Sequence, residues 1–233
     1  MTRTSLAPFV ASRADAYDGL RLVRLPFLPE IRLHLADDAI VLGARLEAQI
    51  GPGLNPFWTN AWAGGQALAR YVLDHPGLVA GRRVLDVACG GGVAAIAAAK
   101  AGAAVSIAND IDPLALTAAA MNAAANDVVV DTVEGDLLSG DGGDADVILV
   151  GDGLYDPALA DRVVGFLRRA AARHAHILVG DPGRGHLPDR WLTVLTRYRV
   201  QGLGAAEDSE LTEVSVLGTT PTPGRATVPA LQF

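Results

Sequence analysis

A short apolar run that ends in an acid and passes at once into a glycine cluster constrains the fold of this chain more than any other feature. The run begins at Arg82 and reaches Asp86, and three glycines occupy positions 90–92. An alanine-rich segment follows from 93 to 101. Because glycine permits a sharp turn and a close approach of the backbone to a ligand, this stretch predicts a strand, a tight turn and the start of a helix.

The next predicted strand also ends in an acid, Asp110, at nearly the spacing that places a carboxylate on a ribose hydroxyl. Two such strand ends predict a site for an adenosine-containing cofactor, and two cofactors compete for it. The spacing Gly90-x-Gly92-x-x-Ala95 fits a dinucleotide fingerprint, in which Asp110 would hold the ribose of NAD. Asp86 would repel a pyrophosphate, however, and it suits the cationic amino-acid end of S-adenosylmethionine.

Beyond residue 82 the chain alternates predicted strands and helices, a pattern that specifies a parallel sheet with helices on both faces. The predicted strands are 82–88, 103–109, 128–133, 145–151 and 175–180, and the predicted helices are 92–101, 113–125, 157–172 and 186–196. We expect Asp112 to cap the second of these helices and Pro113 to be its first residue. Upstream, the pattern predicts exposed strands at 21–25 and 31–35, and helices at 38–49 and 62–73.

The end of the chain breaks this alternation. Two predicted strands, 198–203 and 211–217, are separated only by a short polar loop, so they must pair as an antiparallel hairpin. The sequence therefore predicts an α/β fold, a doubly wound, seven-stranded and mostly parallel sheet that closes with a C-terminal antiparallel hairpin. A dinucleotide-binding domain would place another helix there, so the hairpin also favours S-adenosylmethionine over NAD.

Composition excludes several classes of protein. The 233 residues suit one domain, and a formal net charge of −7 without a basic patch argues against nucleic acid as a partner. No apolar run approaches about 18 residues, so we expect no membrane span. The single cysteine, Cys89, fits a reducing cytoplasm, and the five histidines lack the spacing of metal ligands. We expect a cytoplasmic monomer without a metal.

The ends of four successive predicted strands carry acids, namely Asp86, Asp110, Asp136 just past the third strand and Asp152 just past the fourth. Because ligands of open α/β sheets bind beyond the carboxyl ends of the strands, we expect these acids to surround one site. Asp110 should accept both ribose hydroxyls, Ile111 should lie against the adenine, and Asp136 should meet the adenine amine. The other predicted cofactor-binding residues are Trp62, Ala88, Gly90, Gly92, Leu137 and Gly151.

The pattern Asp86-x-Ala88-x-Gly90-x-Gly92 resembles the nucleotide-binding loop of the class I, seven-strand S-adenosylmethionine-dependent methyltransferases, which have a Rossmann-like fold. The stretch from Pro56 to Tyr71 is similar to the Trp-Pro-Gly-Gly-Gln-Ala-Leu-Ala-Arg-Tyr segment of one branch, the lysine methyltransferases of the electron transfer flavoprotein β-subunit. Further matches lie at 108–113, 151–156 and 180–184, so the resemblance covers about residues 29 to 218. The chain departs from the branch at Ala63, which is usually proline, and at Ala88, which is usually glycine.

The resemblance implies a protein-lysine methyltransferase that uses S-adenosylmethionine. The branch's acid-x-x-aromatic motif maps onto Asp152 and Tyr155, which would face the methyl acceptor. The implied partner is a protein with exposed lysines, such as the electron transfer flavoprotein β-subunit, although a ribosomal protein is also compatible. A small-molecule N-methyltransferase is the alternative. Asp181 and Arg184 are expected to bond each other or to shape the substrate edge. On this basis we divide the chain into an N-terminal extension at 1–60, a methyltransferase domain at 61–218 and a tail at 219–233.

Overall fold

The computed structural model of the protein describes residues 5–6, 19–51, 56–187, 191–201 and 211–219. The strands are β1 Leu20–Arg24, β2 Arg32–Ala36, β3 Arg83–Val87, β4 Val105–Asp110, β5 Asp131–Glu134, β6 Val147–Gly151, β7 His176–Asp181, β8 Thr193–Gln201 and β9 Leu211–Gly218. The helices are α1 Ala39–Ile50, α2 Ala63–Asp74, α3 Val93–Lys100, α4 Pro113–Ala125 and α5 Pro157–Ala172, with short 3₁₀ turns at Phe57–Thr59 and Pro76–Leu78. In the part of the chain described, no helix is both long enough and apolar enough to cross a bilayer.

Seven strands form one sheet in the order β5-β4-β3-β6-β7-β9-β8. Strands β3 to β7 run parallel, whereas β9 is antiparallel to both of its neighbours, β7 and β8. The predicted fold, a mostly parallel sheet with a C-terminal antiparallel hairpin, is confirmed. Strands β1 and β2 pair antiparallel in a separate two-stranded sheet.

The predicted helix at 186–196 is wrong where it overlaps the described residues, because β8 begins at Thr193 and pairs with β9 along its length. The register shifts between Val194 and Thr196, so a bulge lies near the start of the strand. The hydrophobic periodicity of residues 193–201 does not show that their backbone groups form hydrogen bonds with β9. Residues 188–190 and the predicted loop at 204–210 lie outside the described residues.

Alternation along the central strands divides the core between the two faces of the sheet. Val84 and Leu149 face α2 and α3 in one buried cluster, whereas Leu85 and Ile148 face α5 in another. The parallel strands are apolar on both faces because helices cover both. This arrangement leaves the carboxyl ends of the strands as the edge where polar side chains gather.

The N-terminal segment packs onto the same core. Leu25, Leu28 and Ile31 belong to the buried cluster that contains α2 and α3. The Asn126 side chain accepts a hydrogen bond from Arg32 N at 2.9 Å and donates one to Arg32 O at 2.6 Å. The boundary expected at residue 60 stays a prediction, as does the tail at 219–233, of which only Thr219 is described.

Aspartate caps fix the start of three helices. The carboxylates of Asp38, Asp112 and Asp156 accept hydrogen bonds from backbone N–H groups of the first turns of α1, α4 and α5. Proline occupies the first position of α4 and α5, where no N–H is needed. The predicted cap at Asp112 is confirmed.

Candidate active site

The glycine turn between β3 and α3 requires left-handed backbone at several positions. Gly90 has φ 51° and Gly92 has φ 80°, and a Cβ on Gly92 would lie 2.9 Å from the Ala119 Cβ. Ala88 is exposed and also left-handed, with φ 54°, which costs an alanine about 1 kcal/mol relative to glycine. The turn thus exposes backbone at the carboxyl edge of the sheet, as a ligand that contacts main-chain atoms requires.

Asp86 lies beneath this turn and not at its surface. Its side chain is buried, and Oδ2 accepts a hydrogen bond from Ala95 N at 3.0 Å, which ties β3 to α3. Burial raises the pKa of Asp86 to about 7; the Ala95 N–H opposes the rise and the Asp110 carboxylate adds to it. Among the described residues, a backbone N–H lowers the pKa of Asp86, and no cationic side chain does so. A ligand that carries an ammonium group would supply the missing positive charge.

Asp110 connects the two loops that follow β3 and β4. Its Oδ2 accepts a hydrogen bond from Gly90 N at 3.0 Å, and its Oδ1 accepts one from Asp112 N at 3.1 Å. Beside it, 72% of the Ile111 side chain is exposed, which leaves an apolar surface next to a carboxylate. A carboxylate beside an apolar surface could hold the ribose and the adenine of an adenosine, and this assignment of Asp110 and Ile111 stays a prediction.

Asp136 lies further out, on the loop after β5. It forms an ion pair with Arg162, which lowers the pKa of Asp136, and it accepts a hydrogen bond from Leu138 N at 3.0 Å. The half-buried Leu137 packs against the cluster beneath α5. The loop is held against β4 by Asn109, a residue that the sequence analysis did not single out.

Asn109 is buried, and its Nδ2 donates to Val133 O and Gly135 O, each at 2.9 Å. Gly135 N in turn donates to Asp110 O at 3.0 Å. These bonds place the Asp136 loop beside Asp110. An amide near the end of a mostly apolar strand is the signal in the sequence that could have pointed to such a role.

Asp152, just past β6, is the most constrained acid at this edge. Its backbone is left-handed, with φ 56°, and its N–H donates to Gly180 O at 3.0 Å. Oδ2 accepts a hydrogen bond from Gly65 N at 3.0 Å, and Oδ1 lies 3.4 Å from the Arg184 Nη2. Burial raises the pKa of Asp152 to about 6, although the Gly65 N–H and the Arg184 guanidinium favour the charged form.

The start of α2 approaches the sheet so closely that only glycine fits. A Cβ on Gly64 would lie 2.4 Å from the Asp152 Oδ2, and one on Gly180 would lie 2.1 Å from Gly64 O. The same constraint applies to Gly151, because a Cβ there would lie 2.6 Å from the Gly65 Cα. The Gly64-Gly65 pair therefore brings helix N–H groups directly onto the Asp152 carboxylate.

Three aromatic side chains, one of them three residues after Asp152, stand next to each other at this edge. Tyr155 is 52% exposed, and its ring centroid lies 6.0 Å from that of Phe57, a residue that the sequence analysis did not select. The Phe57 ring lies 6.1 Å from that of Trp62, and the Trp62 Nε1 donates to Phe57 O at 2.8 Å. Trp62 is half-buried, whereas Trp58 is the buried tryptophan of this segment.

The loop after β7 completes the edge. The side chain of Arg184 forms an ion pair with Asp152, and a role of Asp181 and Arg184 in shaping the substrate edge stays a prediction. Asp181 is buried, and its Oδ2 accepts a hydrogen bond from Gly183 N at 3.0 Å. Burial raises the pKa of Asp181, while its backbone partners and Arg184 oppose the rise.

Comparison with known proteins agrees with this geometry. The sequence profile of the ribosomal protein L11 methyltransferase family (PrmA) matches residues 66–152. The electron transfer flavoprotein β-subunit lysine methyltransferase of Xenopus laevis is 39% identical over 82% of this chain and 80% of its own length. The protein of that name from Homo sapiens is 35% identical over 83% of this chain and 76% of its own length.

A solved structure with the same fold is that of a putative RNA methyltransferase from Pyrococcus horikoshii, with a TM-score of 0.53 and 17% identity over 76% of this chain and 93% of that one. At that identity the likeness concerns the fold alone. The extent and identity of the flavoprotein-related matches decide the family. The chain belongs to the electron transfer flavoprotein β-subunit lysine methyltransferases, a family of class I, S-adenosylmethionine-dependent protein-lysine methyltransferases.

Proposed function

We propose that this chain methylates lysine side chains of the electron transfer flavoprotein β-subunit, as a cytoplasmic monomer. The observation that supports this substrate is the similarity to enzymes named for it, which extends over 82% of the chain. The structure adds a carboxylate and an aromatic cluster at that edge, both suited to an amine. The small-molecule alternative lacks comparable support.

The cofactor fits the residues between β3 and β5. We assign the glycine turn to the main body of S-adenosylmethionine, Asp110 to its ribose, Ile111 to its adenine and Asp136 to the adenine amine. Asp86 would compensate the charge of the ammonium group. Among the described side chains, no cation lowers the pKa of this buried carboxylate. When bound, the cofactor supplies a methyl group activated by a positively charged sulfur.

The acceptor lysine must reach that methyl group as a neutral amine. A lysine with a pKa near 10.4 requires about 4–5 kcal/mol to lose its proton at pH 7. Asp152, with a pKa of about 6, is ionised at pH 7 and can therefore attract the ammonium form. Desolvation of the amine in the pocket lowers its pKa, and the Asp152 carboxylate then assists removal of the proton.

A labelling experiment tests this proposal. The purified chain is incubated with S-adenosylmethionine labelled in its methyl group and with electron transfer flavoprotein from the source organism, and mass spectrometry locates the label. We expect methyllysine in the β-subunit. A parallel reaction offers the small-molecule fraction of a lysate, and a third uses Asp110→Ala as the cofactor-binding control. Label confined to small molecules, or to a protein other than the β-subunit, would refute the proposed substrate.

A further inference from the structure

The 3₁₀ turn at Phe57–Thr59 lies directly over the glycine turn of the cofactor site. A Cβ on Gly90 would lie 3.7 Å from the Trp58 Cα, and one on Gly91 would lie 3.1 Å from Trp58 O. The buried Trp58 anchors the turn in a cluster that also contains residues of α1 and α4. Phe57 is therefore held next to the cofactor-binding loop by a neighbour that is itself fixed in the core.

From this position the Phe57 ring points away from the core and toward Tyr155. The ring is 51% exposed, and it meets Tyr155 at 6.0 Å with an angle of 47° between the rings. On its other side it meets Trp62 at 6.1 Å and 61°. Residues 57 and 155 are far apart in sequence, so the packing of two loops creates this aromatic surface.

The aromatic surface and the Asp152 carboxylate lie at the same end of α2. Trp62 immediately precedes the helix, and the third residue of the helix after it, Gly65, donates its N–H to the Asp152 Oδ2. Tyr155 follows Asp152 by three residues. A molecule that approaches Asp152 from solvent at this end therefore meets aromatic rings and one carboxylate together.

Half-exposed aromatic rings grouped in this way form an apolar surface that faces water, and exposed apolar surfaces commonly mark binding sites. The face of an aromatic ring attracts a cation, and its apolar body packs against a methylene chain. A lysine side chain combines both features, and its nitrogen is charged before deprotonation and again after methylation. Arg184, beside Asp152, is the positively charged side chain that pairs with this carboxylate in the described structure.

We propose that Phe57 is a binding residue for the methyl acceptor, with its ring face forming the wall along which the lysine side chain reaches Asp152. This inference rests on the proposed function, since it takes the acceptor to be a lysine. Phe57 contributes to the affinity for the acceptor protein and not to the affinity for the cofactor. Trp62 and Tyr155 support the ring from both sides.

Substitution of Phe57 tests the assignment. Phe57→Leu keeps an apolar side chain but removes the ring face, and Phe57→Tyr keeps the face. We expect Phe57→Leu to raise KM for the acceptor protein by about 3- to 30-fold, the range of one cation–π contact. The Kd of S-adenosylhomocysteine, measured by calorimetry, should change by less than about twofold. Phe57→Tyr should restore KM to near the wild-type value.

A matched control is available in a second aromatic pair. The Phe27 ring packs against Tyr198 at 5.6 Å, and Phe27→Leu removes a ring of the same kind outside the assigned site. This variant should retain the wild-type KM. Melting temperatures of all variants are recorded, and since Phe57 is half-exposed we expect Phe57→Leu to fold.

The kinetic measurement uses whichever protein the wild-type chain labels in a lysate. Label in a protein other than the flavoprotein would refute the proposed substrate and still allow the Phe57 comparison. A Phe57→Leu variant with wild-type KM would overturn the inference. A loss of cofactor affinity as large as the rise in KM for the acceptor protein would also overturn the inference, because Phe57 would then belong to the cofactor site. If wild type labels no protein at all, both the proposed function and the inference fail.

Discussion

Replacing Asp152 by asparagine should stabilise the folded protein at pH 8 while removing most of its activity. The amide keeps the shape of the side chain and an oxygen that can accept the Gly65 N–H, but it carries no charge. Asparagine is also better suited than most residues to the left-handed backbone at this position, where φ is 56°. Alanine would be strained there and would leave the buried Gly65 N–H without its partner, at about 1–3 kcal/mol.

The magnitude of the stabilisation expected for Asp152→Asn follows from the pKa of Asp152. Burial raises it from 3.8 to about 6, so the folded state binds the proton more tightly than the unfolded chain does. Ionisation therefore disfavours folding. This penalty is absent below pH 3.8, develops between pH 3.8 and about 6, and at pH 8 amounts to about 3 kcal/mol. Asparagine avoids this penalty, and since the attraction of Arg184 is already contained in the pKa of Asp152, we expect a gain of about 1–3 kcal/mol.

Denaturant unfolding of wild type and Asp152→Asn at pH 8 and pH 4.5 measures this difference. The advantage of the variant should shrink by about 2 kcal/mol at the lower pH, where wild-type Asp152 is largely protonated when folded. On the same samples, cofactor affinity should be retained and single-turnover methylation should fall by about two orders of magnitude or more. A variant that is less stable than wild type at pH 8, or whose advantage does not depend on pH, would refute the reasoning.

Three further changes probe the rest of the edge. Gly64→Ala places a Cβ 2.4 Å from the Asp152 Oδ2 and should lower the free energy of unfolding by about 3 kcal/mol. Gly77→Ala is the control, because a Cβ there has no atom within 4 Å and the free energy of unfolding should stay nearly unchanged. Equal denaturation curves for the two variants would contradict the packing argument. Asp110→Ala should weaken S-adenosylhomocysteine by about 1–3 kcal/mol in calorimetry, and tight binding of NAD to wild type would overturn the cofactor assignment. Because the pKa of Asp86 is about 7, affinity for S-adenosylmethionine should fall as the pH drops from 8 to 6, and a pH-independent Kd would show that this carboxylate does not serve the ammonium group.

The sequence was sufficient to predict elements that depend on interactions between residues close together in the chain. The predicted helices at 113–125 and 157–172 match α4 and α5, because each begins with an aspartate cap and a proline that act within a single turn. Asp110 and Asp152 were found because polar side chains mark where an apolar strand reaches the edge of the sheet, whereas Asp86 lies inside β3 and is buried. The misassigned helix at 186–196 marks the opposite case, since β8 exists through its pairing with β9.

The sequence by itself determined the alternation of strands and helices from β3 to β7, the antiparallel hairpin and the acids that gather at one edge of the sheet. Only the tertiary structure decided what those acids touch. It buried Asp86 under the turn, paired Arg184 with Asp152, and brought Phe57 to Tyr155. Capping, turn geometry and strand alternation depend on residues a few positions apart, and a sequence displays them directly. The contacts of the acceptor site join loops that are distant along the chain, and their distances are set by how closely Gly64 and Gly65 allow α2 to approach the sheet.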